Sequence, residues 1–385
     1  MKRILAAALG VLLLAALPLS AGAATLAEAG KSAVLMDVTT GTVLYEHNSH
    51  EALAPASVTK VMTMLLIMEA VDSGKISLAD TVTASEAAAA KGGSQIYLKA
   101  GETMRVSDML KSIAVSSAND CACAMAEHIS GSESAFVEAM NQRAKELGMQ
   151  DTHFVNCTGL DDDDSARLHR TSAYDIALMS RELLKNHPDI KKYTTIWMDT
   201  VRNGAFGLSN TNKLIRFYPG ATGLKTGYTS GAGYCLSASA QKEGMELIAV
   251  VMGARTSQTR NAACKELLDY GFANFAVVTP EPEALPQVAV RLGKQAQVPA
   301  RMAESAGMLI EKSQRSGITT EISLKESVAA PVTRGQTLGS LAVKSGEQIL
   351  RQIPLVAAED VEKLTTGDIF LAVLRKAAMA KEGTE

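Results

Sequence analysis

Apolar positions along the chain change period several times, and the changes predict its elements. Ser32-Ala33-Val34-Leu35-Met36-Asp37 and Thr42-Val43-Leu44-Tyr45 are β-rich runs around Thr39-Thr40-Gly41, which predicts a hairpin. Past Pro55, the residues Val61, Met62, Met64, Leu65, Leu66, Met68 and Val71 fall at helical spacing and stop near Gly74. That predicts a helix with Ser57 at its start. The same period predicts helices over 106–115, 118–129, 133–147 and 171–184. From Pro219 the pattern returns to strand, with one run carrying Lys225-Thr226-Gly227 and others over 234–239 and 246–252, before a helix over 258–268. Strands, a long helical insertion, more strands and a closing helix predict a mixed domain of the α+β class over 24–278 whose sheet joins both ends of the segment.

Pro280, Pro282 and Pro286 mark a boundary, after which short β-rich runs alternate with turns at Gly293, Gly317, Gly335 and Gly346. A small β-rich C-terminal domain over 287–357 follows from that alternation. Ile369, Phe370, Leu371, Val373 and Leu374 lie beside Arg375 and Lys376, so the tail over 361–385 can form an amphipathic helix at a membrane surface or pack on a domain. At the other end, Met1-Lys2-Arg3, an apolar run from Ile4 to Leu19 and Ala21-Gly22-Ala23 have the three parts of a secretory signal peptide over 1–23. An uncleaved anchor is the alternative reading, because the apolar run is close to spanning length. Export is expected.

The 385 residues suffice for two to three domains at roughly 150 residues each. Hydrophobic residues at 47% and charged residues at 21% exclude wholesale disorder. The 38 basic and 41 acidic residues leave no footprint of a general nucleic-acid binder. Losing Lys2 and Arg3 with the leader leaves 36 basic against 41 acidic residues, a formal charge of -5. Cys121, Cys123, Cys157, Cys235 and Cys264 are an odd number of cysteines, thinly spread, so no disulfide scaffold is expected and at least one should be free. Cys121 and Cys123 read as buried small hydrophobes and not as a metal pair.

Chemistry concentrates in three short elements. Ser57-Val58-Thr59-Lys60 opens an apolar helix, and residues three apart share a helical face, so the Lys60 amine can approach the Ser57 hydroxyl. A lysine in a confined, cation-rich pocket loses its proton readily and can activate a serine. Ser117-Ala118-Asn119 lies between helical segments, and Lys225-Thr226-Gly227 lies on a strand. Ser-x-x-Lys alone is weak evidence; the three in this order are strong evidence.

With these motifs the sequence resembles the penicillin-binding proteins and serine β-lactamases, and most closely the low-molecular-mass D-alanyl-D-alanine carboxypeptidases of the cell wall. The resemblance runs from about Leu26 to Phe275, and the β-rich stretch beyond resembles the second domain those enzymes carry. It implies a transpeptidase-type fold, Ser57 as acylated nucleophile, Lys60 as proton acceptor, Ser117 as proton relay to the departing D-alanine, and Asn119 as holder of the substrate amide and the lysine. It further implies that Lys225, Thr226 and Gly227 receive the terminal carboxylate of the peptide. Backbone N–H groups of Ser57 and Tyr228 would form the oxyanion hole. Thr229 and Arg255 are second-tier carboxylate contacts; their plain alternatives are a turn residue and an exposed ion-pair partner.

The reaction so implied removes the last D-alanine from the stem pentapeptide of peptidoglycan, outside the cytoplasm at the wall or the outer membrane face, with β-lactams as covalent inhibitors. A D,D-transpeptidase or endopeptidase is the alternative, a β-lactamase a weaker one, and a catalytically silent wall-binding protein the reading from another class. Two places depart from the family pattern: Thr158-Gly159-Leu160-Asp161 stands where His-Gly-Leu-Asp is frequent, and His169-Arg170-Thr171-Ser172-Ala173 where His-Tyr-Ser-Thr-Ala is. His169 is therefore expected to be a loop or packing residue and not a base. Asp161 to Asp164 lack the spaced ligands of a calcium loop, and the six histidines lack metal-protease spacing, so neither a metal nor another cofactor is expected.

Overall fold

The computed structural model describes residues 30–162, 164–279, 284–304 and 307–379. The expected leader over 1–23 and the end of the expected tail, 380–385, lie outside the described residues. A five-stranded antiparallel sheet runs in the order Val43–His47, Ser32–Asp37, Met245–Ala254, Gly233–Lys242, Ala221–Thr229. The two ends of the segment thus meet in one sheet, as the order of runs predicts. The Lys225-Thr226-Gly227 strand is the edge opposite the N-terminal hairpin.

Both faces of this sheet are covered. Val34, Met36, Ile248, Val250 and Met252 point into one core with the helices, while Ala33, Leu35, Leu247, Ala249 and Val251 point into a second one with Leu267 and Leu268. This is the period-two alternation of a strand with apolar residues at both phases. Lys60–Asp72 is apolar almost all round and is buried at the centre of the first core, as a helix without a polar face must be. Around it stand Val106–Ser116, Asn119–Ser130, Glu133–Glu146 and Ala173–Asn186. Ser132 and Ser172 cap the last two of these, each hydroxyl accepting from the backbone N–H three residues on.

The closing helix runs Ser257–Asn274, past the expected end at 268. The helix continues through Gly271, where a Cβ would lie 2.4 Å from Leu247 Cδ1. The glycine serves close packing on the sheet. All five cysteines are free and buried.

Beyond this, Ile318–Leu324, Thr337–Ser345, Gln348–Ala357, Gln297–Met302, Gln287–Arg291 and Ser327–Ala329 form a six-stranded sheet in that order. Phe275–Val278, placed by the sequence at the end of the first domain, pairs antiparallel with Met308–Glu311. Lys312 Nζ donates to Phe272 O at 2.7 Å, setting a cation against the C-terminal end of the closing helix. The tail forms Thr366–Met379, with Ile369, Phe370, Leu371, Val373 and Leu374 exposed. Among the described residues no helix is long and apolar enough to cross a membrane.

Candidate active site

Ser57 sits in the 3-10 turn Ala56–Thr59, which runs directly into Lys60–Asp72. Lys60 Nζ lies 2.9 Å from Ser57 Oγ and donates to Thr158 O at 2.8 Å. Lys60 has 0% exposure, and that desolvation pushes its pKa down to about 7, against smaller opposing effects of Cys157 and Asp120. Near neutrality a substantial fraction is therefore the free amine, able to accept the serine proton. Ala56, immediately before the serine, holds φ +48 although it is not glycine. Such a conformation costs about 1–3 kcal/mol and persists only where the surroundings enforce it.

Ser117 and Asn119 form the facing wall. Ser117 ends Val106–Ser116 in the left-handed conformation, φ 64, and Asn119 begins the next helix. Asn119 Nδ2 donates to Gly92 O at 2.7 Å. Ser117 Oγ and Asn119 Oδ1 are buried with no hydrogen-bond partner among the described residues. Buried polar atoms are nearly always paired, so two orphans side by side are the mark of groups kept for a ligand. Asp120, fully buried, accepts from the N–H groups of Ile96 and Leu98 and so holds the loop that runs past Asn119.

The third wall is the edge strand. Lys225 is 1% exposed, and burial first, then the positive charges of Lys60 and Arg260, push its pKa well below the ordinary lysine value. A carboxylate arriving there would favour the ammonium form. Thr226 Oγ1 lies 2.6 Å from Thr211 Oγ1. Gly227 lets the strand approach the serine turn: a Cβ at this position would lie 2.7 Å from Pro55 O and 3.1 Å from Ser57 N. Tyr228 is exposed, its ring stacked at 4.3 Å on Tyr234. Thr229 Oγ1 accepts from Ala232 N at 3.1 Å and steadies the turn to the next strand. Arg255 is exposed with no polar partner among the described residues, whereas Arg260, in the first turns of Ser257–Asn274, is buried and acts on Lys225.

Several groups in this constellation carry no sequence signal. The carbonyls of Thr158 and Gly92 hold Lys60 and Asn119, and a backbone oxygen is present at every residue. Gly159, in the Thr158-Gly159-Leu160-Asp161 stretch that the sequence marks as a departure from the family pattern, holds φ +80, and a Cβ there would lie 1.8 Å from Ala56 O, so this loop presses directly on the turn that carries Ser57. Thr211 and Arg260 also join the cleft. His169 is buried, in keeping with a packing residue, but its Nε2 lies 2.7 Å from Thr59 Oγ1. Asp161, Asp162 and Asp164 are exposed. Away from the cleft, Glu69, Glu182 and His187 converge, and Arg143 bonds Glu69 at 2.8 Å and Glu182 at 2.6 Å, so both carboxylates are already paired with an internal guanidinium.

A model of the D-alanyl-D-alanine carboxypeptidase family matches residues 20–256, and one of the penicillin-binding protein 5 C-terminal domain matches 280–363. D-alanyl-D-alanine carboxypeptidase DacF of Bacillus subtilis is 47% identical over 344 residues, 88% of this chain and 87% of the relative. DacC of Escherichia coli, also a D-alanyl-D-alanine carboxypeptidase, is 34% identical over 343 residues, 86% of this chain and 84% of that one. The crystal structure of penicillin binding protein 5 from Haemophilus influenzae superposes with a TM-score of 0.75 at 31% identity, covering 87% of this chain and 98% of that one.

Proposed function

This chain belongs to the D-alanyl-D-alanine carboxypeptidase family and is a serine-type D-Ala-D-Ala carboxypeptidase of the cell wall, and from that premise we propose how its own residues perform the reaction. Ser57 Oγ attacks the carbonyl carbon of the penultimate D-alanine while its proton passes to the free amine of Lys60. The observation that carries this assignment is the fully buried Lys60 amine 2.9 Å from Ser57 Oγ with a pKa near 7. The N–H groups of Ser57 and Tyr228 stabilise the oxyanion.

Collapse of the tetrahedral intermediate breaks the C–N bond; Ser117 gives its hydroxyl proton to the leaving nitrogen and takes up the proton held by the Lys60 ammonium, so D-alanine departs as a neutral amine and Lys60 is again the free base. Asn119 Oδ1, which has no hydrogen-bond partner among the described residues, accepts from the substrate amide. Lys225 and Thr226 bind the terminal carboxylate; the buried Arg260 strengthens the positive field behind them, and Thr229 and the exposed Arg255 serve at the rim. Water then cleaves the Ser57 ester to release the tetrapeptide. A β-lactam acylates Ser57 in the same way, but its leaving nitrogen stays tethered and blocks that water.

Purified protein given a defined stem pentapeptide should yield tetrapeptide and free D-alanine by mass spectrometry. A cross-linked dimer as main product would instead mean transpeptidation, and hydrolysis of cross-linked dimers alone would mean an endopeptidase. The proposed division is a leader over 1–23 for export, a catalytic domain over 24–278, a β-rich domain over 287–357 and a tail over 361–385. The exposed apolar face of Thr366–Met379 supports peripheral contact of that tail with the outer membrane leaflet. Full-length protein should co-sediment with anionic vesicles and lose that binding in Phe370→Ser/Val373→Ser; equal sedimentation of the two would refute the contact.

A further inference from the structure

We propose that His169 is a positioning residue for acylation: through Thr59 it clamps the strained turn that presents Ser57. This rests on the reading of Ser57 as the acylated nucleophile. The directions of the hydrogen bonds around the imidazole determine its tautomer. Val155 N donates to His169 Nδ1 at 3.1 Å, so Nδ1 carries no proton. In the neutral ring the proton is then on Nε2, which donates to Thr59 Oγ1 at 2.7 Å. Thr59 Oγ1 has one hydrogen, and it goes to Ala56 O at 2.8 Å. The result is a one-way relay from Val155 N–H through the ring and the threonine hydroxyl to the carbonyl of the residue before the nucleophile.

The relay ends where the backbone most needs support. Ala56 has positive φ without being glycine, and Gly159 presses on the same carbonyl. A turn in that conformation is held by its surroundings, and the imidazole supplies one hold from 110 residues away in sequence. The titratable groups that face the ring are Lys60, His153 and Arg170, and none of them is an acid that would favour an imidazolium. Burial, then His153, Arg170 and Lys60, pushes the His169 pKa down to about 4, so the neutral tautomer prevails at neutral pH. Any buried imidazole must satisfy both ring nitrogens; what ties this one to the reaction is where the chain ends, at the carbonyl of the residue before Ser57.

The test uses full-length protein labelled with 15N-histidine and two variants, His169→Ala and His169→Gln. Penicillin acylation of Ser57 is followed by mass and resolved into the constant for initial binding and the rate constant for acyl transfer. The expected results are an Nε2–H tautomer for His169 in the wild type and acyl transfer slowed roughly 10- to 100-fold in His169→Ala with initial binding little changed. His169→Gln, whose amide N–H₂ can donate to Thr59, should recover most of the rate. An Nδ1–H or imidazolium signature, wild-type acyl transfer in His169→Ala, or a glutamine variant as slow as the alanine one would each overturn the proposal. If His169→Ala does not fold, the tautomer and the glutamine variant decide. Absence of any acyl group on wild-type Ser57 would be a different failure, of the nucleophile assignment itself.

Discussion

Ser57→Ala will release no measurable D-alanine from stem pentapeptide and will gain no mass with penicillin, while melting within a few degrees of wild type. The expected fall in turnover is on the order of 10⁶-fold, the scale seen when a serine nucleophile is removed from an otherwise intact site. Its size follows from the division of labour in the cleft. Lys60, the oxyanion donors and the carboxylate subsite all act on a bond that only the Ser57 oxygen can form, so the remaining groups retain binding but lose the covalent route. Folding should tolerate the change, because Ser57 is only half-buried and Thr59, not Ser57, ties the turn to Ala56 O. Peptide hydrolysis within tenfold of wild type, or penicillin attached at another residue, would remove Ser57 from its role.

Lys60→Met will move activity and stability in opposite directions. Acylation should fall roughly 10³- to 10⁴-fold, since the general base is lost. Stability follows from the buried amine. Its pKa is about 7 in the fold against 10.5 for an ordinary lysine, so between these values the unfolded chain binds more protons than the native one. Wild-type stability therefore rises as pH climbs from about 7 to 10.5, and the cost of burying Lys60 is fully present below pH 7. At about 1.36 kcal/mol per pH unit that cost is of the order of 5 kcal/mol. Methionine escapes it but leaves Thr158 O without its donor, a loss of about 1–3 kcal/mol. Thermal melts should show the variant more stable than wild type at pH 6, with the advantage shrinking toward pH 10. Wild-type acylation should rise through pH 7 as the amine deprotonates. A difference in melting temperature that does not change with pH, or acylation at the wild-type rate in the variant, would contradict this account of Lys60.

The two experiments also separate what is local from what is distant. The Ser57–Lys60 pair is a spacing of three on one helical face and could be read from the chain directly. So could the hairpin at Gly41, the helical insertion and the Lys225-Thr226-Gly227 strand, because each has a run of apolar residues long enough to display its period. The short pairs Thr81–Thr83 with Thr103–Arg105, and Met198–Val201 with Phe206–Ser209, have no counterpart in the sequence pattern. Three or four residues cannot display a period, and these ladders depend on neighbours supplied by the rest of the fold.

Around the site the same distinction decides which residues were legible. The family resemblance points to Arg255 as the carboxylate arginine, yet Arg255 is exposed; Arg260, five residues further on, is the buried one that acts on Lys225. Which of two nearby arginines faces the cleft depends on how the closing helix is rotated against the sheet. His169 gave a sign of packing only, because its link to Thr59 spans 110 residues and no local pattern encodes it.

Residue types and their order were thus enough to specify the reaction class and the two-part architecture, and to point, through the family resemblance, to Ser57 and Lys60 as the pair on which the proposed mechanism rests. The fold alone decided the state of the groups: Lys60 emptied of water so that its amine is free near neutrality, Ser117 and Asn119 left with unsatisfied atoms, Gly159 and Gly227 bringing backbones together, and an imidazole set against the serine turn. Desolvation, orphaned hydrogen bonds and close backbone approach are properties of what surrounds a residue, and those surroundings are assembled from segments about 100 residues apart.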